Sequence, residues 1–362
     1  MPKSGDLPGT IAFVGCEISA GAAAGPGGGS GAHAHAQARR RWEVVIAGKR
    51  IKTVDVHAHC IVPNAAKVIN HALEAPGLLW TNVGDRIAHM DKSGVDVEAL
   101  SINPFWYRAE RDAAAELIRI QNEQLTEFCA SHPDRFVAFA TAALQFPELA
   151  AEQIEHAVKR LGFRGVGVAG SVAGQDLANP KFHPFWAKCE ELGVLVFMHP
   201  LGTRELEPSG RLAGNGLLTN TIGNPLETTI ALSHLIFEGT LDRFPGLKIC
   251  AAHGAGFLPS YANRSDAVLR VFPDRVGTPP KKKPTEYLRN GQIMADTIMF
   301  TGEAVRHLVH EMGVDNVVMG TDYPFPWNTE PVNHILSIPD ITDADKIKIL
   351  GGTAAKLLGI ES

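Results

Sequence analysis

The chain has 362 residues, 45% hydrophobic and 20% charged, so it can bury a large core and fits one catalytic-sized domain better than two small ones. A formal net charge of −5, with no long block of one sign, argues against nucleic acid or an anionic membrane as the main partner and leaves a small molecule as the default. No apolar run is long enough to cross a bilayer, and the five scattered cysteines include no C-x-x-C pair, so neither a disulfide framework nor a thiolate zinc site is expected and a reducing cytoplasm is.

Residues 1–41 are rich in Gly, Ala and Ser and cannot bury enough apolar surface to offset their ordering entropy; a disordered tail is expected there. His33 and His35 in this stretch imitate a metal motif, but a flexible Gly/Ala segment cannot hold two imidazoles in fixed geometry. From Trp42 to Ser362 strand and helix patterns alternate. The run WEVVIAGKRIKTVDVH reads as a hairpin turning at Ala47-Gly48 and leading into a buried strand. Eight further strands are predicted at Val54–His57, Asp96–Ile102, Phe136–Thr141, Gly165–Ala169, Val194–Met198, Leu247–Ala252, Ile293–Thr297 and Asn316–Gly320. Between them, Ala109–Ser131, Pro147–Leu161, His183–Leu192, Asn224–Phe237 and Glu303–Met312 carry apolar residues at helical spacing. Eight alternating units without a break in composition predict an α/β fold: a distorted (β/α)8 TIM barrel over residues 42–362 with a short N-terminal β-hairpin. Chemistry in such a barrel sits at the C-terminal ends of the strands.

Four of those ends carry ligand-type side chains. The first strand closes in Asp55-Val56-His57-Ala58-His59, where two histidines two residues apart on an extended chain share a side and can reach one ion. The fifth closes in His199-Pro200. The sixth closes in His253-Gly254-Ala255-Gly256, with glycines that admit close backbone approach, and the eighth runs into Thr321-Asp322-Tyr323-Pro324. Each alone has an ordinary structural explanation; together they point to a metal site at one rim. Nitrogen and oxygen donors in this mixture suit a divalent metal, zinc first, with manganese, iron or cobalt as alternatives. Spacing alone does not divide the five residues into ligands and proton carriers.

The succession VDVHAH, FMHP, AAHGAGFLPSYANR and GTDYPFP resembles the amidohydrolase superfamily, and within it the branch typified by aminocarboxymuconate semialdehyde decarboxylase. The similarity runs from about Lys52 to Gly359 and takes in Arg86-Ile87-Ala88-His89-Met90-Asp91, His132-Pro133-Asp134-Arg135-Phe136 and Asn224-Pro225-Leu226-Glu227-Thr228-Thr229. The resemblance implies His57, His59, His199 and Asp322 as metal ligands and His253 as a catalytic residue, sharing proton handling with Asp322. The strand Arg164–Ala169 ends without the lysine that bridges two ions in related barrels, which implies a single ion. Arg264, eleven residues after His253, matches an arginine that grips the substrate carboxylate and in some members comes from the neighbouring subunit, so a homodimer is expected.

Departures narrow the substrate. Cys60 to Asp85 contains no counterpart of the second substrate-binding arginine of the name-giving decarboxylase, and His199-Pro200-Leu201-Gly202-Thr203-Arg204 lacks its tryptophan. A mono-acid of aromatic or salicylate type is expected, with Trp80, Phe105, Trp106 and Tyr107 as apolar walls. The expected reaction is nonoxidative decarboxylation of a small aromatic or muconate-type acid. Hydrolysis of an amide or lactone is the alternative such a metal site also supports, and a non-catalytic metal-stabilised binding protein ranks last. Gly202 to Ile222 reads equally as a mobile cover and as a surface insertion, and Lys281-Lys282-Lys283 reads as a solvated loop.

Overall fold

The computed structural model describes residues 41–72, 76–79, 83–203, 206 and 209–361. Apart from Arg41, the expected tail lies outside the described residues, as do Trp80 and Arg204.

The chain enters through the expected hairpin, in which Val45–Ile46 pairs antiparallel with Lys49–Arg50. Ala47 and Gly48 take φ of 50° and 77°, the two successive positive values that a tight hairpin turn requires. Asp96 fastens this hairpin to the barrel. Its carboxylate accepts from Arg50 Nη1 at 2.8 Å and Nη2 at 2.7 Å, from Arg41 Nη2 at 2.5 Å and from the Thr53 backbone at 2.8 Å.

Eight parallel strands follow: β1 (Val54–His59), β2 (Val97–Ser101), β3 (Phe136–Ala140), β4 (Gly165–Val168), β5 (Leu195–Met198), β6 (Lys248–Ala251), β7 (Ile293–Asp296) and β8 (Val317–Val318). Each pairs with its neighbours in chain order. The ends of the sheet meet through Val56 N–H to the Met319 carbonyl at 3.0 Å, His59 N–H to the Tyr323 carbonyl at 2.6 Å and Asp322 N–H to the His57 carbonyl at 2.8 Å, which closes the barrel. Val54, Val56, Val97, Phe139, Leu195, Phe197, Met294 and Val318 fill the interior, while Ala58, Leu100, Val166, Val196, Ile249 and Ala295 pack outward into the layer under the helices. Ala354, Ala355 and Leu358 of the helix Thr353–Leu358 join the interior cluster.

The helices Pro147–Leu161, His183–Leu192 and Asn224–Phe237 occupy the expected bounds, each with proline in its first turn, where no intrahelical N–H is needed. Gly162 and Gly193 end the first two in the left-handed conformation. Arg111–Ser131 and Gly302–Met312 fall within two residues of the predicted spans.

Two features differ from expectation. β8 is two residues long rather than running from Asn316 to Gly320. Asn316 ends a 3-10 turn with its side chain donating to the Leu288 and Met312 carbonyls, and past Val318 the chain bends across to β1. A small unpredicted ladder, Ser171–Val172 with Gln175–Asp176, follows β4.

Candidate metal centre and adjoining cleft

Strict alternation along β1 would send His57 and His59 outward, because Val54 and Val56 face the barrel interior. The pairing of β1 with β2 shifts register between Asp55 and Ala58, so Ala58 turns outward and both histidines turn in. Such a bulge re-aims side chains at a sheet end. The two Nε2 atoms come within 2.9 Å of each other. His199, one residue past β5, brings its ring centroid to 4.6 Å from that of His59 and 5.0 Å from that of His57. Asp322, past β8, holds a left-handed φ of 65° and puts Oδ1 2.8 Å from His59 Nε2 and 3.2 Å from His57 Nε2. One donor atom from each of the four lies within 4.8 Å of every other, and all four side chains are buried.

This donor set fits a cation. His199 Nδ1 is buried without a hydrogen bond, and a buried atom of this kind needs a partner. The remaining nitrogens are already oriented. His57 Nδ1 lies 2.6 Å from Asp296 Oδ2; with the carboxylate ionised, Nδ1 carries the donated proton and Nε2 keeps its lone pair for an ion. His59 Nδ1 lies 3.2 Å from Ser101 Oγ, whose hydroxyl donates to the Ala58 carbonyl at 3.2 Å, so His59 Nε2 is likewise the free nitrogen. Asp55 braces the same corner: its carboxyl accepts from His57 N–H at 2.9 Å, Thr321 N–H at 3.1 Å and the Thr321 hydroxyl at 2.6 Å.

The charges explain why these groups tolerate burial. Burial lowers the His57 imidazolium, but Asp322 and Asp296 outweigh it and push its pKa up to about 10. Burial, together with the His57 charge, brings His59 down to about 4, and His199 falls well below the ordinary range for the same reasons. Asp322 and Asp296 lie below the usual carboxylate range despite burial, held there mainly by His57. In the metal-free protein His57 is thus the cation that balances two buried carboxylates; a bound divalent ion would take over that role.

His253 sits on a turn, Ala252–Ala255, that β6 feeds directly. Its φ of 56° and that of Gly254, 64°, aim the imidazole sideways, and the His253 and Gly254 N–H groups donate to Asp296 at 3.1 and 3.0 Å. His253 Nε2 ends 3.7 Å from Asp322 Oδ2. The turn is pinned by Gly256, where a Cβ would stand 2.3 Å from the Pro225 carbonyl. Together His253 and Asp322 line a cleft of about 470 Å³, whose other walls include Asn224, Phe257, Ile298, Met299, Phe300 and Trp327. That volume suits a small organic ligand.

Sequence reasoning thus names the four residues that the structure brings together and the histidine beside them. The structure does not bring Phe105 and Trp106 to this cleft. Trp106 is wholly buried with its indole N–H donated to the Ala142 carbonyl at 2.9 Å, and Phe105 stacks on His71 at 4.2 Å and lines a smaller cavity with Tyr107, Leu201 and Glu227. Arg264 lies exposed on the helix Leu258–Val271, outside the cleft lining. Asp296 reads in sequence as the end of an apolar strand; the signal for its role is a carboxylate at a strand terminus, in Ile293-Met294-Ala295-Asp296-Thr297. Trp327, five residues past Asp322, and Phe257, four past His253, were equally readable as rim residues once the barrel was assigned.

Comparison with known proteins agrees with this geometry. The sequence model described as amidohydrolase matches residues 54–360. The 2-amino-3-carboxymuconate-6-semialdehyde decarboxylase of Dictyostelium discoideum is 32% identical over 279 residues, 76% of each chain. The gamma-resorcylate decarboxylase of Rhodococcus jostii (strain RHA1) is 30% identical over 313 residues, 79% of this chain and 92% of its own. Among solved structures, the dihydroxybenzoic acid decarboxylase of Polaromonas sp. JS666, with bound manganese and the inhibitor 2-nitroresorcinol, superposes with a TM-score of 0.74 at 26% identity, covering 86% of this chain and 97% of that one.

Proposed function

Because the chain belongs to the amidohydrolase family, we propose that it is a metal-dependent, nonoxidative decarboxylase of a small aromatic or muconate-type carboxylic acid. The observation that carries the reading is the approach of His253 Nε2 to Asp322 Oδ2, 3.7 Å, at a metal-ligand cluster that opens into a largely apolar cleft. His57, His59, His199 and Asp322 would hold one divalent ion, which orients an anionic substrate and offsets its charge. Phe257, Ile298, Met299 and Trp327 would hold the ring and exclude water.

His253 is the proton donor of the reaction, and Asp322 positions its imidazole. The proton goes to the ring carbon that bears the carboxylate. The bond to the carboxylate carbon then breaks, its electron pair returns to the ring, and carbon dioxide leaves; one proton is consumed and no oxidant is needed. The donor set favours zinc, while manganese is the ion of the Polaromonas structure; metal analysis of purified protein separates them.

Residues 42–362 are taken as the catalytic unit. A homodimer, with Arg264 reaching the substrate carboxylate of the partner's site, is supported by the exposed stripe on Leu258–Val271 where Tyr261, Val268 and Val271 flank Arg264 at helical spacing. A reducing cytoplasm is supported by Cys60, Cys129, Cys189 and Cys250, all free thiols. No helix among the described residues is long and apolar enough to cross a membrane.

The test is a screen of the metal-loaded protein for carbon dioxide release from hydroxybenzoic and muconate-type acids. One carbon dioxide per acid consumed, without oxygen from water in the product, is expected. Oxygen-18 from labelled water in a product carboxylate would overturn the reading in favour of hydrolysis.

A further inference from the structure

Asn224 opens the helix Asn224–Phe237 and lines the same cleft as His253 and Asp322, yet it is 2% exposed and its side-chain oxygen accepts no hydrogen bond. Its Oδ1 is buried without a donor. The side chain does not cap its helix; the Asn224 backbone is engaged instead, its N–H donating to the Thr219 carbonyl and its carbonyl accepting from the Thr228 hydroxyl at 3.3 Å. A buried carbonyl oxygen left unpaired is costly, so a residue held this way implies a donor that arrives from the cleft.

The surroundings keep the amide in place. The next residue, Pro225, packs its carbonyl so closely on Gly256 that no side chain fits there, which ties the start of this helix to the turn that carries His253. On its other side Gly202 leaves room beside Asn224 Oδ1, where a Cβ would come to 3.7 Å. Thr203 Oγ1, also buried and without a partner, stands next to Gly223. The joint between Gly202-Thr203 and Gly223-Asn224 therefore holds two unpaired oxygens, of which Asn224 Oδ1 belongs to a residue of the cleft lining, where the other walls are mainly apolar.

We propose that the Asn224 amide reads a hydroxyl group on the substrate ring, accepting its hydrogen at Oδ1, which makes the substrate a hydroxylated aromatic acid. The inference rests on the decarboxylase reading for the reaction, but the recognition is a binding property that stands or falls separately. A site built to hydrogen-bond a hydroxyl rejects the analogue that lacks it far more strongly than an apolar wall does.

The experiment compares 2-nitroresorcinol with 2-nitrophenol, which lacks one hydroxyl, by calorimetric titration into metal-loaded wild-type protein and into Asn224→Ala and Asn224→Asp. The wild type should prefer 2-nitroresorcinol by about tenfold or more. Asn224→Ala should lose most of that preference. Asn224→Asp keeps an acceptor and should keep the ratio even if its charge weakens both ligands; the near-isosteric Asn224→Leu has no acceptor, should lose the preference as Asn224→Ala does, and serves if Asn224→Ala fails to fold. Equal affinity of the wild type for the two compounds, binding of neither, or an unchanged preference in Asn224→Ala would each overturn the proposal; the last would mean that a trapped water is what satisfies the amide. A wild type that shows the preference but releases carbon dioxide from no acid would leave the recognition standing and remove the decarboxylase reading.

Discussion

Asp296 accepts the Nδ1 proton of His57 at 2.6 Å and the backbone N–H groups of His253, Gly254 and Ile298, so one carboxylate orients His57 and the turn that carries His253 together. Asp296→Ala is expected to weaken metal affinity about 10–100-fold, read by metal titration, because His57 would lose the group that fixes its tautomer. Gly256→Ala should be harsher on the turn than on the ligands. Its Cβ would meet the Pro225 carbonyl at 2.3 Å and Thr229 Oγ1 at 2.7 Å, so kcat should fall and the melting temperature drop while one ion per chain is retained. At this scale the sequence was informative wherever a residue type carries its own chemistry, as with His57, His59, His199, His253 and Asp322. It was less so where a role depends on which neighbour arrives, as with Asp296 and Asn224, or on what covers a ring, as with Trp106, whose indole is spent on the Ala142 carbonyl.

β1 illustrates what an element adds. Its alternation was readable, but the register shift between Asp55 and Ala58 that turns both histidines inward depends on pairing with β2 and on contacts with the chain after β8, none of which is local in sequence. β8 was over-predicted for a related reason: Asn316 is drawn into hydrogen bonds with the Leu288 and Met312 carbonyls, which propensity cannot anticipate. The N-terminal hairpin rests on Asp96, and Asp96→Ala should cost about 2 kcal/mol in chemical denaturation, since hydrogen bonds to a buried carboxylate are lost. Burial alone would raise the Asp96 carboxyl, but Arg50, Thr53 and Arg41 hold it below its ordinary value. Its folded pKa is therefore the lower one, so its stabilisation is present above the unfolded value of about 4 and is lost as pH falls through the folded value. The variant should accordingly show a smaller loss of stability on acidification than the wild type.

For the whole molecule, the barrel was legible because eight short apolar strands recur with helices between them and deliver ligand-type residues to one rim. Its buried charges couple folding to the metal. His57 has a folded pKa of about 10 against an unfolded value of about 6.5, so in metal-free protein its contribution is complete below about pH 6.5 and is lost as pH rises toward 10. Metal-free protein should therefore lose stability between these pH values in denaturant titrations, whereas protein with an ion on the neutral His57 should show a much flatter dependence. The most direct measurement of the central claim is turnover and metal content on the same preparations of wild type and His253→Ala. The wild type should release carbon dioxide from a hydroxylated aromatic acid in deuterated water with one deuterium placed on the ring. His253→Ala should keep one ion per chain and lose about 10²–10⁴-fold in kcat. Undiminished turnover in metal-loaded His253→Ala would contradict the assignment of His253 as the proton donor.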